Sequence, residues 1–262
     1  MQALFSLRPS ILVAAALSCV AVFCAAGAVE ADVLITEIMY DPPEDKDCEY
    51  VEIHNSGAAL VDLSGWRFTE GIQFTFPPGT QVPGGGHLVA CRSTARFLRA
   101  YPSVDPSILV GDYDGSLANE GERVTLESPD GQLREEVLYG SGDPWDFLAH
   151  GFGSSLERSC LLGDPNLAST WRASPVPAEI GAPGGSPGGP GVESCAPLPS
   201  KPNVRVSEVM YHPVLEESIE DDHEFVEIFN AGAEPVPLEG WRLVGGIRYT
   251  FPAGAALDAG QY

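Results

Sequence analysis

The sequence contains an internal repeat, and this repeat constrains the fold more than any other feature. The matched pairs are Val33–Tyr40 with Val204–Tyr211, Glu49–Arg67 with Glu224–Arg242, and Gly71–Pro77 with Gly246–Pro252. The middle pair is identical at 12 of 19 positions, where average composition gives roughly one. Such a match indicates duplication of a structural unit, so two related domains are expected.

The segment between the two copies sets the expected domain boundaries. Pro183–Gly191 consists almost wholly of glycine and proline, which predicts a flexible linker with no capacity to pack. We expect a first domain over residues 32–182, a linker over 183–202 and a second domain over 203–262. Tyr262 aligns with His87 of the first copy. The second domain is therefore expected to be truncated, either because it is naturally degenerate or because the sequence is a fragment.

The first 31 residues have the pattern of a secretory signal peptide. Arg8 precedes the apolar run Ile11–Ala26, and small residues at Ala26–Ala28 and Val29–Ala31 offer cleavage sites. The run is short for a membrane span of roughly 20 residues, so a membrane anchor is the weaker alternative, and lipid attachment at Cys19 or Cys24 is weaker still. The expected location is secreted, cell-surface or periplasmic, with no membrane span after signal cleavage.

The charge of the mature chain excludes some partners. Removal of residues 1–31 takes away one acidic and one basic residue, which leaves 36 acidic and 13 basic residues and a net charge of −23. Such a surface repels nucleic acid and anionic lipid. We therefore expect no nucleic-acid partner, and an unknown protein or cell-surface ligand instead.

Four cysteines remain after cleavage, namely Cys48, Cys91, Cys160 and Cys195. An even number in an exported chain predicts disulfides, with three pairings open. Cys91 with Cys160 is the easiest pair to imagine because both lie in the first domain, but the spacing does not fix the pairing. There is no Cys-x-x-Cys motif, which argues against a zinc site.

Hydrophobic residues alternate with a period of two, as in β-strands. In the first strand this period places Val33, Ile35, Glu37 and Met39 on one face and Leu34, Thr36, Ile38 and Tyr40 on the other. Trp66–Thr69 and Ile72–Phe76 are predicted to form a hairpin around Glu70 and Gly71, and Arg123–Glu127 pairs with Leu133–Tyr139 in another. One helix is expected over Ser93–Ala100, capped by Ser93.

Regularly spaced short strands of this kind indicate an all-β sandwich. Trp66 and Trp241 each follow a Leu-x-Gly turn, which predicts that the turn delivers each indole into the core rather than to a sugar ligand.

The combined motifs resemble the bacterial exported lamin-tail domain. They comprise Ile35–Tyr40, Glu49–Asn55, Leu63–Phe68, Phe76–Thr80, Gly85–Val89 and Asn119–Leu126, followed more loosely by Ser155–Arg158 and Gly181–Gly184. The resemblance implies an all-β, immunoglobulin-like β-sandwich in tandem, with the second copy incomplete. It also implies an exported adhesion or tethering module, and it supplies no catalytic residues.

The residues themselves offer no catalytic constellation that we can assemble. Glu49 and Glu52 could serve acid–base chemistry, but the two lie on opposite faces of one strand, so they are expected to satisfy backbone or arginine donors. Gly151–Ser155 resembles a nucleophile elbow only in its residue types, because it lies in a β-rich tail and not in a strand–turn–helix segment. Glu37 recurs as Glu208 without suggesting a reaction. The chain is therefore predicted not to be an enzyme.

Calcium is the sharpest cofactor alternative. Asp112 and Asp114 flank a turn beside a glycine, as oxygen-ligand loops often do, and further acidic groups occur at Asp41–Asp47 and Asp221–Glu224. All three are expected to be solvated turns, so we predict no cofactor, no metal ligands and no tight calcium site in residues 32–190.

The sequence favours a non-catalytic, extracytoplasmic interaction module that acts in adhesion or tethering. The rival hypothesis is a set of accessory domains in a larger exported hydrolase, whose catalytic part would lie beyond residue 262.

Overall fold

The computed structural model describes residues 33–177, 182–191, 195, 202–211, 224–243 and 246–262. The chain divides into two compact units, Met1–Glu193 and Ser194–Tyr262. The predicted signal peptide lies outside the described residues. None of the helices in the described part of the chain has the length and apolar character needed to cross a membrane.

The first unit contains two facing β-sheets. The six-stranded sheet has the spatial order β13-β12-β1-β2-β7-β8 and comprises β1 (Val33–Met39), β2 (Tyr50–Asn55), β7 (His87–Cys91), β8 (Leu109–Asp112), β12 (Leu156–Arg158) and β13 (Trp171–Ala173). The five-stranded sheet has the order β11-β10-β4-β5-β9 and comprises β4 (Arg67–Glu70), β5 (Ile72–Thr75), β9 (Asp114–Gly115), β10 (Arg123–Glu127) and β11 (Leu133–Leu138). A short pair joins β3 (Val61–Asp62) to β6 (Gln81–Val82).

The main core lies between these sheets. Its fully buried side chains include Ile35, Ile53, Ile72, Val124 and Leu126. Apolar residues contributed by both inner faces are the defining feature of a sandwich. The fold is therefore an all-β, immunoglobulin-like sandwich, as the sequence predicts, and both predicted hairpins form.

The predicted division of β1 into two faces is wrong beyond Ile35. The pairing of β1 with β2 shifts its register between Ile35 and Glu37, which marks a β-bulge. An extra residue at a bulge reverses the side chains that follow it. Ile35 and Ile38 consequently both enter the main core, whereas Met39 packs in a separate cluster on the outer face of the sheet.

Part of this outer face is covered by helix α1 (Thr94–Ala100), which begins where the sequence predicts. Ser93 caps it by accepting a hydrogen bond from the backbone N–H of Arg96. Phe97, fully buried, makes an edge-on contact with Tyr50 at 5.3 Å between ring centroids. The described residues of this unit also form four 3-10 turns: Lys46–Cys48, Pro106–Ile108, Phe147–Ala149 and Ala168–Thr170.

The indoles do not occupy the positions that the sequence suggests. Leu63 and Phe68 fill the core, while Trp66 lies partly buried against its edge, with the Arg134 guanidinium 5.4 Å from the ring centroid. Trp241 is 37% exposed. The turn at Gly65 has φ +74°, and it places Trp66 just before β4 begins, at the margin of the sheet.

The second unit repeats the opening strands of the first. It comprises β14 (Val204–Met210), β15 (Phe225–Asn230), β16 (Val236–Pro237), β17 (Arg242–Leu243), β18 (Tyr249–Thr250) and β19 (Ala256–Leu257). The pairs are β14 with β15, β16 with β19, and β17 with β18. Val236, Leu238 and Leu257 form a small buried cluster among the described residues.

Candidate functional site

Three glutamates form a row across adjacent strands on the outer face of the six-stranded sheet. The strand register pairs Glu157 of β12 with Glu37 of β1, and Glu37 with Glu52 of β2. They are only 2%, 1% and 1% exposed, respectively. Like charges directly opposite each other destabilise a sheet, and buried carboxylates require compensation. This glutamate row is therefore the least expected polar feature of the first unit.

Glu37, at the centre, is held by neutral donors. Its Oε1 accepts hydrogen bonds from the Tyr50 hydroxyl at 2.5 Å, the Ser155 hydroxyl at 2.5 Å and the backbone N–H of Ser186 at 3.0 Å. Its Oε2 is buried and has no hydrogen-bond partner among the described residues. One oxygen is thus fixed by three hydrogen bonds, while the other is enclosed without one from the described residues.

The other two glutamates are also anchored. Oε1 of Glu52 accepts from the Thr36 hydroxyl at 2.7 Å and lies 2.9 Å from Nδ1 of His87, and its Oε2 accepts from the Gly188 N–H at 2.6 Å. Oε1 of Glu157 accepts from the Ser186 hydroxyl at 2.9 Å. Arg172 is the cross-strand neighbour of Glu157 on β13.

Residues 184–191, which we call the strap, supply several of these donors. The prediction that this glycine-rich segment cannot pack is wrong, because its amides and Ser186 bind the glutamate row. Tyr101 of the loop after α1 also donates to the Gly184 carbonyl at 2.8 Å. A short glycine-rich segment can pack against a domain when its N–H and hydroxyl groups donate hydrogen bonds to buried carboxylate oxygens.

Glycine is required at one position of the strap. Gly185 has φ +98°, and a Cβ there would lie 2.4 Å from both Oε1 of Glu37 and the Tyr50 hydroxyl. Only a residue without a side chain allows the strap backbone to approach the glutamate row so closely.

Burial strongly perturbs the central carboxyl. Burial, followed by repulsion from Glu52, raises the pKa of Glu37 from 4.5 to about 8. Hydrogen bonds from Ser155 and Tyr50 oppose that shift without cancelling it. A protonated Glu37 at neutral pH removes one negative charge from the row.

A cavity of about 240 Å³ lies beside the row. Its charged and polar lining includes the three glutamates together with His54, His87 and Arg158, and Gly189–Gly191 of the strap also contribute. The exposed residues Gly85 and Pro190 also line it, so the cavity reaches the protein surface.

The predicted separation of Glu49 from Glu52 is correct. Glu49 accepts from the Leu117 N–H at 2.9 Å and from Arg92 at 3.2 Å, on the side of the sheet that faces Tyr113. Its role is to satisfy a backbone donor and an arginine, as expected. Gly151–Ser155 leads directly into β12, and Ser155 binds Glu37, so its hydroxyl is engaged in the glutamate row.

Several acidic residues of the groups considered for calcium have other partners. Asp112 accepts from the N–H and hydroxyl of Thr94 and so stabilises the start of α1. Asp114 lies exposed in β9. In the group Asp41–Asp47, Asp41 binds Asn119 and His150, and Asp47 pairs with Arg92.

In the group Asp221–Glu224, only Glu224 lies within the described residues. Over the described ranges, no set of three or more His, Cys, Asp or Glu side chains is placed to hold a metal ion.

Cys160 is disulfide-bonded to Cys195, whereas Cys48 and Cys91 are free and buried. The pairing of Cys91 with Cys160 is therefore wrong. Cys91 belongs to the cluster beneath α1 with Phe97, whereas Cys160 follows β12. The location of Cys91 and Cys160 in the same predicted domain was therefore not a sufficient reason to pair them.

Sequence analysis identified Glu37 and Glu52 but did not predict the site that they form with Glu157. Glu157 lies in Ser155–Arg158, and the strap begins in Gly181–Gly184, both noted only as a loose tail of the resemblance. The signal that was available is the pair of carboxylates at matched positions of neighbouring strands. These two carboxylates do not indicate the site until the position of β12, which carries Glu157, is known.

The fold and its outer-face contacts define an immunoglobulin-like β-sandwich module. More specifically, the sequence model of the lamin tail domain family matches residues 27–141 and 197–262. The chain belongs to this family, whose domain is a non-catalytic, immunoglobulin-like module that generally mediates interactions. No curated protein matches the chain.

Proposed function

We propose that this chain is an exported, non-catalytic tethering protein that holds a partner at or near a cell surface. The observation that carries the proposal is the presence of two lamin tail domain segments in one chain. Two binding modules on one chain raise the effective concentration for a second contact, which is how tethers gain avidity.

Two further features support an extracytoplasmic location, and a third indicates the kind of partner. The apolar segment after Arg8 has the composition of a signal peptide. The Cys160–Cys195 disulfide suits an oxidising compartment. A net charge of −23 keeps the protein soluble and favours a basic partner surface.

The strap makes a physical contribution to tethering. It lies within the connection between the two matched segments. The backbone N–H groups of its Ser186 and Gly188 donate to Glu37 and Glu52, which fixes this part of the connection on the first sandwich. A connection that is partly anchored has fewer free residues, so its reach is shorter than that of a free chain of the same length.

The test combines export and binding. The full-length gene product is expressed, and the exported protein is expected to begin near residue 32. When labelled and added to intact cells of the producing organism, it is expected to bind saturably and to be displaced by excess unlabelled protein. Retention in the cytoplasm, or binding that unlabelled protein does not displace, contradicts the proposal.

A further inference from the structure

The part of the strap that binds the glutamate row is a Pro-Gly turn. The N–H of Gly189 donates to the Ser186 carbonyl at 2.9 Å, with Pro187 and Gly188 between them. Gly188 has φ +86°, which fits the third position of a type II turn, where glycine commonly follows proline. The N–H groups of Ser186 and Gly188 do not close this turn, and both donate to carboxylates of the sheet.

The second unit repeats the two carboxylates that accept these N–H groups. Glu208 aligns with Glu37 and Glu227 with Glu52, and the two are again cross-strand neighbours beyond the same bulge. The Ser207 hydroxyl donates to Oε1 of Glu227 at 2.8 Å, as its counterpart does in the first unit. Glu208 is exposed, so its carboxylate is accessible to a donor from another molecule.

An aromatic pair accompanies the two carboxylates in both units. His54 and His87 stack at 4.3 Å between ring centroids, and their counterparts Phe229 and Tyr262 stack at 4.7 Å. In the first unit, the two imidazoles and Pro190 of the strap line the same cavity. Tyr262 is 69% exposed, so its ring can contact a proline of another chain, as aromatic surfaces do when they recognise proline-rich segments.

We propose that the face of the second unit formed by Glu208, Glu227, Phe229 and Tyr262 binds a glycine-flanked Pro-Gly turn of a partner protein. The two carboxylates accept the N–H groups of the turn, and the aromatic pair contacts a neighbouring proline. The inference rests on the proposed interaction function and names the chemistry of the partner.

The ligand is a segment of a partner protein rather than the strap of a second copy. Each strap is already held in its own first unit by the three glutamates of the row and by Tyr101, whose hydroxyl donates to the Gly184 carbonyl. Among the described residues of the second unit, only two of these glutamates have counterparts. A strap that moved to the second unit of another copy would lose hydrogen bonds, whereas a segment without such a site loses none.

The experiment is an NMR titration of the full chain with a peptide of residues 184–191 whose two ends are chemically blocked. Blocked ends carry no charge, so attraction to the net charge of −23 does not produce binding. Saturable shifts are expected for the backbone amides of Glu208, Glu227 and Phe229. The matched amides of β1 and β2 should not shift, because the strap already occupies their face.

Two variants of this face and one of the peptide sharpen the test. Glu208→Gln removes the charge that strengthens a hydrogen bond to a carboxylate, and Tyr262→Ala removes the exposed ring. Each should raise the dissociation constant at least threefold, and neither is expected to disturb the fold because both side chains are exposed. A peptide that carries Pro187→Ala and Pro190→Ala should also bind at least threefold more weakly, since it has more conformational freedom to lose.

Glu234→Gln is the matched control, because it removes one exposed carboxylate outside β14 and β15 and should leave the affinity unchanged. Absence of saturable shifts overturns the inference, and so does equal affinity of the wild type and either face variant, or of the two peptides. Concentration-dependent shifts of the same amides without peptide overturn it in favour of a second copy as the occupant. Cell-surface retention is measured separately, so failure of this inference leaves the proposed tethering function to its own test.

Discussion

The two copies of the repeat share their local structure but differ in burial. In both, the first two strands pair with the same register shift, between Ile35 and Glu37 in β1 and between Val206 and Glu208 in β14. Ile35 is fully buried, whereas its counterpart Val206 is 56% exposed. The bulge is thus a property of the repeated segment, while burial depends on the strands around it.

Individual side-chain contacts repeat as well. Thr36 donates to Glu52 at 2.7 Å, and Ser207 donates to Glu227 at 2.8 Å. Asn55 and Asn230 each accept from a glycine N–H two residues later, and each donates to two carbonyls. In the first unit, β7 and β12 flank this strand pair. Among the described residues of the second unit, β14 and β15 form a two-stranded sheet.

Hydrogen exchange on the whole chain should give the largest difference between the copies. Amides of β2 are expected to exchange at least roughly 100-fold more slowly than those of β15, because flanking strands and a full core raise the free energy of local opening. Residues 203–262 produced alone are expected to be disordered or to aggregate. Equal protection of Phe225–Asn230 and Tyr50–Asn55 in a monomer would falsify this.

A rise in pH from about 4.5 to 8 should destabilise the first unit through Glu37. Its folded pKa of about 8 lies above the unfolded value of 4.5, so its contribution is complete below pH 4.5 and is lost as pH rises towards 8. Each pH unit in that window removes up to about 1.4 kcal/mol from the free energy of unfolding.

Urea unfolding of the full chain at several pH values measures this slope. Glu37→Gln should flatten it, and Glu208→Gln, at the matched but exposed position of the second copy, should not. If the free energy of unfolding of Glu37→Gln still falls with pH as in the wild type, another titratable group is responsible.

Replacement of Asn55 and of its counterpart Asn230 tests whether the same hydrogen bonds contribute equally to the free energy of unfolding of the two units. Asn55→Ala leaves the Ala59 and Val82 carbonyls without their side-chain donor, and about 2–3 kcal/mol of destabilisation is expected because the site is buried. Asn230→Ala should affect only the second unit. Denaturant unfolding followed by residue-specific exchange separates the two, and an identical loss from both variants in one transition argues against independent units.

The smallest effect concerns the strap. Gly185→Ala places a Cβ 2.4 Å from Glu37 and Tyr50, so the strap must shift, at a cost of about 1–2 kcal/mol. Gly79→Ala is the control, because φ there is +84° and nothing lies within 4 Å of the added Cβ. It reports backbone strain alone. If Gly79→Ala destabilises as much in urea unfolding, the close approach of the strap has no energetic weight.

The sequence by itself determined the repeat, the strand periodicity, both hairpins, the capped helix and the family resemblance. These features arise from residues close together in the chain, such as the Glu70–Gly71 turn and the Ser93 cap, so local pattern is sufficient. The opposite faces of Glu49 and Glu52 follow in the same way from a regular strand.

Only the tertiary structure decided the face of Glu37, the packing of the strap, the Cys160–Cys195 bond and the position of Trp66. A single bulge reverses every later side chain in β1, and periodicity contains no sign of it. The glutamate row joins residues more than 100 positions apart, Glu37 and Glu157. Its chemistry arises because neighbouring strands and the strap remove three carboxylates from water together, and no local segment of the chain specifies that burial.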